Sequence, residues 1–214
     1  HEMRNALKGN NRFECIFTDV AELDICNAEA VKQTIADNHI DYIVNCAAYT
    51  QVDKAEDNAE LCRKINTDAV ENLARAAATY GARMIHISTD YVFNGRGYRP
   101  YTEAMTPDPQ SVYGSTKLEG EKILTDICPE SIIIRTAWLY SPYGNNFVKT
   151  MLHLGKEREE LSVVSDQIGT PTCAADLAQA ILVILQADTF VPGTYHFSDE
   201  GACSWYDFTV TIHR

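Results

Sequence analysis

Short apolar runs along the chain alternate with stretches whose apolar residues recur at helical spacing. The runs that predict strands are residues 13–17, 42–47, 84–88, 132–136 and 161–164. Several of them are too apolar for a sheet with one face in water, so helices should cover both faces. This alternation of strand and helix predicts an α/β fold with a doubly wound parallel sheet.

The helical stretches carry apolar residues three or four positions apart, which is the spacing of a core-facing stripe. The clearest are Ala28, Val31 and Ile35; Cys62, Ile65, Ala69, Leu73 and Ala76 before a stop at Gly81; and Leu177, Ile181 and Ile184 within residues 175–187. Residues 2–7 predict a further helix closed by Gly9, and Ser204 with Asp207 resembles a capping box that opens a last helix.

Charge and cysteine content narrow the classes of partner. The net charge is −12, from 30 acidic and 18 basic residues, and such a field repels nucleic acid and anionic membranes. The 7 cysteines are scattered, without zinc-ligand spacing, so we expect reduced thiols, no metal site and a cytoplasmic location. No apolar run approaches the ~20 residues of a membrane helix, and the first residues do not form a signal peptide.

Tyr113 and Lys117 are the first candidates for chemistry. Residues four apart share one face of a helix. A cation held beside a phenol should lower its pKa from about 10 and suit it to donate a proton near neutral pH. The lysine has enough donors to hold a ribose hydroxyl as well. The spacing alone is weak evidence, since an exposed helix pair would also produce it.

Two strand ends add to this evidence. Residues 85–93 form an apolar run that presents Ser88, Thr89 and Asp90, and residues 42–48 end in small side chains. Ligands of open α/β sheets bind at the carboxyl ends of strands, where hydroxyls can bond a carbonyl oxygen and small residues admit a flat or phosphorylated ligand. The three features together predict an active site at this edge.

Several segments carry a family resemblance. They are residues 45–50 with Asp53, 88–93, 113–117 with Gly120 and Glu121, 135–138, 144–147, 166–167 and 169–171. In order and spacing they resemble the dTDP-4-dehydrorhamnose reductase family, the RmlD-like group of extended short-chain dehydrogenases, from Glu2 to Asp207. The resemblance implies a Rossmann-like fold with a small C-terminal substrate lobe.

The resemblance also implies an activity. It is the reduction by NADH or NADPH of the 4-keto group of a dTDP-linked 6-deoxy-4-hexulose, giving dTDP-L-rhamnose for cell-surface polysaccharide. Thr89 and Tyr113 would grip the keto oxygen, Tyr113 would supply the proton, and Lys117 would anchor the nicotinamide ribose. The implied cofactor positions are Asp24, Ile25, Ala47, Ala48, Tyr49, Thr50, Tyr113 and Lys117, and the implied substrate positions are Thr89, Asp90, Tyr91, Trp138, Asn146 and Gln167.

Asp19 bears on the choice of cofactor. We expect it to close the strand at residues 13–17, where an acid can bind the adenosine ribose hydroxyls, although it could equally cap a turn. No arginine follows it to hold a 2′-phosphate, which favours NADH over NADPH.

The expected organisation is a cofactor-binding domain over residues 1–140 and a mixed region over residues 141–214 with the substrate lobe and returning helices. A complete doubly wound domain has a strand and a glycine-rich phosphate-binding turn before its first helix. The sequence therefore reads as part of a longer polypeptide, extended at both ends, and a homodimer is possible.

Two other functions stay open. A nucleotide-sugar epimerase or 4,6-dehydratase shares the Tyr-x-x-x-Lys spacing, but dehydratases of this scaffold place an acid where Tyr91 stands, which favours reduction. A non-catalytic subunit like the methionine adenosyltransferase β subunit is the other, and the retained Thr89, Tyr113 and Lys117 argue against it.

Overall fold

The computed structural model describes residues 1–214, which form two compact units. The sheet unit contains Cys15–Arg135 and Val191–His196, and the second unit contains His1–Glu14, Thr136–Phe190 and Phe197–Arg214. The division near residue 135 differs from the expected one at 140. Two further differences are that the chain returns to the sheet unit at Val191 and that residues 1–14 belong to the second unit.

The sheet unit is built on four strands. The strands of the whole chain are β1 Tyr42–Asn45, β2 Arg83–Thr89, β3 Ile132–Thr136, β4 Leu139–Tyr140, β5 Ile168–Gly169, β6 Thr172–Cys173, β7 Gly193–His196 and β8 Cys203–Ser204. The large sheet has the order β1-β2-β3-β7, with parallel pairing of β1 to β2 and of β3 to β7. The β3 to β7 ladder explains why residues 191–196 return to this unit.

Helices flank this sheet. The helices of the whole chain, in both units, are α1 Glu2–Ala6, α2 Ala28–Asp37, α3 Val52–Asp57, α4 Ala59–Arg63, α5 Ala69–Tyr80, α6 Val112–Ile127, α7 Phe147–Glu157, α8 Ala174–Gln186 and α9 Trp205–Ile212, and those that flank the sheet belong to the sheet unit. A π-helical turn, Lys64–Asp68, joins α4 to α5. Helices α2 and α5 bury Val31, Ile35 and Leu73 in one apolar cluster with Met84 of β2. The doubly wound, Rossmann-like fold class is confirmed, and α5 ends as predicted at Gly81, whose φ is +74°.

Two predicted strands are wrong. Residues 13–17 and 161–164 belong to no strand. The large sheet ends at β1 on one side, so residues 13–17 have no ladder to join, and Ile16 is 51% exposed. Residues 161–164 run as an extended loop whose Val164 carbonyl accepts a hydrogen bond from the Tyr206 amide at 3.0 Å. Apolar runs of this length therefore do not guarantee a strand when no partner strand is available.

Short pairings and aromatic contacts hold the second unit. Strands β4 and β6 pair in parallel and β5 with β8 antiparallel, and α1 packs on α8. The predicted capping box is present, because the Ser204 hydroxyl accepts from the Asp207 amide at 3.0 Å and the Asp207 carboxylate accepts from the Ser204 amide at 3.2 Å. No helix in the chain has the length and apolar character needed to cross a bilayer.

Two glycines let helix α6 approach its neighbours closely. A Cβ on Gly114 would collide with the Tyr91 carbonyl, and a Cβ on Gly120 would collide with the Asn66 carbonyl. The Ser111 side chain caps the helix by accepting from the Gly114 amide at 3.1 Å. Helix α6 is thereby seated against both the π-helical turn and the short 3₁₀ turn Asp90–Val92 that follows β2.

Candidate active site

Tyr113 and Lys117 both lie on the buried face of α6. Tyr113 is 9% exposed and Lys117 only 1%, so the exposed-pair alternative is excluded. Their spacing places them one turn apart on the face that α6 turns toward β2. A buried lysine and a buried phenol at a strand end are costly to maintain for packing alone, which makes them candidates for function.

The Tyr113 hydroxyl faces the end of β2. Burial raises the pKa of Tyr113 to about 12, although the neighbouring Thr89 hydroxyl opposes the shift. The ring of Tyr91 packs edge-on against that of Tyr113, with centroids 5.5 Å apart. Tyr113 is therefore a neutral phenol over the whole physiological range, the form that can donate a proton.

Thr89 and Asp90 form a small polar turn beside this phenol. The Thr89 hydroxyl donates to the Asp90 carboxylate at 3.1 Å and accepts from the Tyr91 amide at 3.1 Å. Burial raises the pKa of Asp90 to about 6, although these local hydrogen bonds oppose the shift. The carboxylate is thus held in a place that disfavours its charge.

The raised pKa of Asp90 predicts a pH-dependent stability. An unfolded aspartate titrates near 4, so the folded state holds the Asp90 proton more tightly between pH 4 and 6. Wild type should lose free energy of unfolding relative to Asp90→Asn as pH rises through this window, by up to about 3 kcal/mol. Urea unfolding of both proteins at pH 4, 5, 6 and 7 measures the difference. A constant difference across these pH values would contradict the prediction.

Lys117 points its amine at β2. The Nζ atom donates to the Ile87 carbonyl at 2.6 Å and lies 3.3 Å from the His86 Nε2 atom. Burial lowers the pKa of Lys117 to about 8, against the opposing charge of Glu121. We expected Lys117 to lower the pKa of Tyr113; instead burial dominates the pKa of both groups in this structure.

The loop after β1 is held by two asparagines. The Asn45 side chain accepts from the Ala47 amide at 3.0 Å, and Asn66 binds both backbone groups of Tyr49, accepting at 2.8 Å and donating at 3.1 Å. This places Ala47, Ala48, Tyr49 and Thr50 at the carboxyl end of β1, next to the end of β2. Small residues at this edge match the predicted approach for a flat ligand.

The other residues predicted to bind the cofactor lie in turns. Because residues 13–17 are not a strand, Asp19 does not close one; its carboxylate accepts from the Val20 amide at 2.8 Å and so caps a turn. Asp24 accepts from the Cys26 amide at 2.9 Å. The Ile25 carbonyl accepts from the Asn72 side chain at 3.1 Å, while its side chain packs on the core.

Trp138, Asn146 and Gln167 belong to the second unit. Trp138 has a left-handed backbone, φ +48°, and its ring stacks on that of Trp205 with centroids 3.4 Å apart. Asn146 caps α7 by accepting from the Lys149 amide at 3.1 Å, and Gln167 is exposed. The observed contacts of Trp138 and Asn146 are thus internal to this unit.

The Trp138 stack predicts a loss of stability on truncation. Trp138→Ala removes the ring that lies between Trp205 and Gly169, and aromatic pairs contribute about 1 kcal/mol beyond the area they bury. We expect the free energy of unfolding to fall by at least about 1 kcal/mol, with Trp138→Phe retaining part of it. A raised substrate KM with unchanged stability would instead show that the ring serves ligand contact and not packing.

From the sequence we did not anticipate that the side chains of His86, Asn45 and Asn66 form hydrogen bonds at the candidate site. Asn66 lies in the π-helical turn, whose extra residue per turn turns it inward. His86 is fully buried and lies between Asn45 and Lys117. A polar residue inside an otherwise apolar strand was the available signal. The side chains include no group of three or more His, Cys, Asp or Glu arranged to hold a metal.

The comparison with known families matches the whole chain. Residues 1–214 match the family model described as the RmlD substrate binding domain. The chain is 43% identical to the dTDP-4-dehydrorhamnose reductase of Aggregatibacter actinomycetemcomitans, over 96% of the chain and 71% of the relative. It is 47% identical to that of Escherichia coli strain K12, over 91% of the chain and 67% of the relative. The chain belongs to the dTDP-4-dehydrorhamnose reductase family.

Solved structures agree with this membership. A dTDP-4-dehydrorhamnose reductase from Clostridium acetobutylicum has a TM-score of 0.95 at 49% identity, covering 100% of the chain and 75% of that structure. The family member from Bacillus anthracis, solved in complex with NADP, has a TM-score of 0.92 at 42% identity, covering 98% of the chain and 75% of that structure. The predicted family resemblance is confirmed.

Proposed function

We propose that the chain reduces the 4-keto group of a dTDP-linked 6-deoxy-4-hexulose, giving dTDP-L-rhamnose, with NADH or NADPH as the reductant. The observation that carries this is the buried phenol of Tyr113, which lies beside Thr89 at the end of β2 and one helical turn from Lys117. The curated relatives at 43% and 47% identity are named for this reduction.

The chain's residues fit a nicotinamide cofactor. The carboxyl end of β1 is followed by Ala47 and Ala48, whose small side chains leave the backbone approachable, and the Asn66 amide fixes this loop. The buried Ser88 hydroxyl at the neighbouring strand end has no partner in the chain. When bound, the reduced nicotinamide supplies the hydride. The relative from Bacillus anthracis was solved with NADP.

The remaining chemistry belongs to Tyr113 and Thr89. Tyr113 keeps its proton at neutral pH because its pKa is about 12, and it can donate that proton to the keto oxygen as the oxygen gains charge. In the structure the Thr89 hydroxyl donates to Asp90. To hold a keto oxygen it must turn from that carboxylate, which protonation of Asp90 would favour.

The other site assignments are part of the same proposal. Lys117 holds the ribose, with Asp19, Asp24, Ile25, Ala47, Ala48, Tyr49 and Thr50 along the cofactor and Asp90, Tyr91, Trp138, Asn146 and Gln167 along the sugar nucleotide. Residues 1–140 then serve as the cofactor domain, and residues 141–214 contribute the substrate lobe. We also propose that the enzyme is cytoplasmic and that it forms a homodimer.

An epimerase or dehydratase remains the second candidate because the fold is shared. A dTDP-glucose 4,6-dehydratase from Streptomyces venezuelae has a TM-score of 0.79 at 20% identity, a likeness that shows the fold alone. The side chain after Asp90 is Tyr91, which is 40% exposed and packs edge-on against Tyr113. A phenol there is a weaker acid than a carboxyl group, so water elimination is disfavoured.

A turnover assay tests the proposal. The purified protein is mixed with dTDP-4-keto-6-deoxysugar and either NADH or NADPH, and the loss of reduced nicotinamide absorbance is followed together with the sugar product. We expect one reduced cofactor consumed for each sugar converted. Sugar conversion without net consumption would identify an epimerase. A 4,6-dehydratase would leave this sugar unchanged, because the sugar has already lost the C6 hydroxyl group that such an enzyme eliminates, and would instead convert the corresponding 6-hydroxy sugar nucleotide. Absence of any conversion, with an adenosyltransferase copurifying from cells, would support the non-catalytic subunit.

A further inference from the structure

A chain of buried polar groups runs from the loop after β1 to Lys117. The Asn45 side chain lies 3.1 Å from the His86 Nδ1 atom, and the His86 Nε2 atom lies 3.3 Å from Lys117 Nζ. Asn45 is 5% exposed, His86 0% and Lys117 1%. Water is therefore excluded from all three, so each must satisfy its polar atoms within the chain.

The direction of the hydrogen bonds follows from one backbone group. The Ala47 amide can only donate, and it donates to the Asn45 Oδ1 atom at 3.0 Å. This fixes the Asn45 amide with its Nδ2 hydrogens toward His86 Nδ1. Nδ1 must then be the acceptor, which places the single hydrogen of a neutral imidazole on Nε2. His86 is neutral because burial holds its pKa well below the usual value.

The tautomer of His86 affects the protonation of the Lys117 amine. An Nε2–H group pointing at Nζ matches the lone pair of a neutral amine and meets the hydrogens of an ammonium unfavourably. We propose that His86, locked in its Nε2–H tautomer by Asn45, is a positioning residue that orients the Lys117 amine and favours its neutral form. Lys117 can still donate to the Ile87 carbonyl at 2.6 Å in that form, leaving one N–H for a ligand.

Other groups around Lys117 do not account for this preference. Its neighbours with charge or titratable hydrogens are Tyr113 and Glu121 of α6, Cys62 of α4, Cys46 after β1, and His86. Glu121 and the two thiols favour the ammonium, and Glu121 is itself engaged by Arg135. Burial and the His86 donor act in the opposite direction. A lysine that titrates near neutral pH can exchange a proton during turnover, and only this last consequence rests on the proposed reductase activity.

Nuclear magnetic resonance of histidine and lysine side chains tests the inference without any turnover. Protein labelled with ¹⁵N-histidine is examined by long-range ¹H–¹⁵N correlation, with His86→Gln used to assign the His86 signals. We expect a non-titrating His86 with its hydrogen on Nε2 between pH 6 and 9. A hydrogen on Nδ1, or an imidazolium in this range, would overturn the proposal whatever the enzyme's activity.

A substitution at Asn45 should move the His86 ring hydrogen from Nε2 to Nδ1. Asn45→Asp keeps the acceptor for the Ala47 amide but replaces the amide donor by a second acceptor, so His86 should move its hydrogen to Nδ1 and accept from a Lys117 ammonium. We expect the Lys117 titration midpoint, followed by its ¹³Cε shift, to rise by about one pH unit, a tenfold change in proton affinity. In an His86→Leu background the same Asn45→Asp change should raise the midpoint by less than half as much.

The double comparison separates the imidazole from the added charge. An equal rise with and without His86 would show a direct effect of the carboxylate and would overturn the role of His86, as would an unchanged midpoint in Asn45→Asp alone. If Asn45→Asp does not fold, the tautomer measured in wild type decides the proposal. Loss of sugar turnover with the expected tautomer and midpoints would count against the reductase function and leave this inference intact.

Discussion

Tyr113→Phe is expected to lower kcat by about 10²- to 10⁴-fold, the range in which general acid catalysis operates. The substitution removes only the hydroxyl that donates the proton and leaves the ring buried on α6 and packed against Tyr91. Because the pKa of Tyr113 is about 12, the wild-type phenol is fully protonated from pH 6 to 9. Loss of turnover in the variant should therefore be nearly the same at every pH in that interval.

The measurement is steady-state reduction of the keto sugar, with cofactor affinity determined separately by calorimetric titration. Cofactor affinity should stay close to that of wild type, since Lys117 and the loop after β1 are unchanged. Tyr195→Phe is the matched control, because it removes the hydroxyl of a 39% exposed tyrosine that bonds only the Val191 carbonyl at 3.1 Å. Turnover of folded Tyr113→Phe within threefold of wild type would refute the acid role.

The sequence was sufficient for the elements that carry Tyr113 and Lys117. Strands β2 and β3 could be predicted because their apolar residues form continuous runs, and such runs reflect burial directly. Helix α6 was implied by the four-residue spacing of Tyr113 and Lys117. Thr89, Tyr113 and Lys117 could be singled out because a fixed spacing on one helix and a strand end both constrain where side chains lie. Local geometry carries this part of the site.

The environment of those residues could not be predicted in the same way. His86 contacts Lys117 across 31 positions, and Asn66 binds Tyr49 across 17, so neither contact has a local signature. The pKa of Tyr113 was expected to fall beside a cation and is raised instead, because burial depends on packing that no spacing reveals. Residues 13–17 failed as a strand for a similar reason, since a strand is defined by its neighbours.

Glu121→Ala is expected to cost about 3 to 5 kcal/mol of the free energy of unfolding. Glu121 of α6 and Arg135 of β3 form a buried ion pair, with Nη2 and Oε2 2.6 Å apart and a second bond from Nε to Oε1 at 2.9 Å. Their side chains are only 4% and 7% exposed. Removing the carboxylate leaves the guanidinium buried without its counter-charge, and an uncompensated buried charge carries a cost of that size.

A surface pair supplies the control. Arg63 and Glu119 are also 2.6 Å apart, but their side chains are 54% and 42% exposed. Glu119→Ala should cost less than about 1 kcal/mol, because water solvates the remaining charge and screens the pair. The two ion pairs have the same N–O distance and differ chiefly in burial. The difference between the two losses in free energy of unfolding, measured with urea, therefore reports the effect of desolvation.

The paired replacement Glu121→Leu with Arg135→Met completes the argument. Removing both charges should recover most of the stability lost in Glu121→Ala, since apolar residues of similar volume often replace a buried ion pair at little cost. The Arg135 guanidinium also lies over the Phe93 ring at 5.3 Å, a contact that the methionine side chain can partly replace. Glu121 follows Lys117 by one helical turn, so the pair also fixes α6 to β3 of the sheet. We therefore expect the double variant to be stable but to have a reduced kcat. A double variant as unstable as Glu121→Ala would show that lost packing, and not the unpaired charge, causes the loss of stability in the single variant.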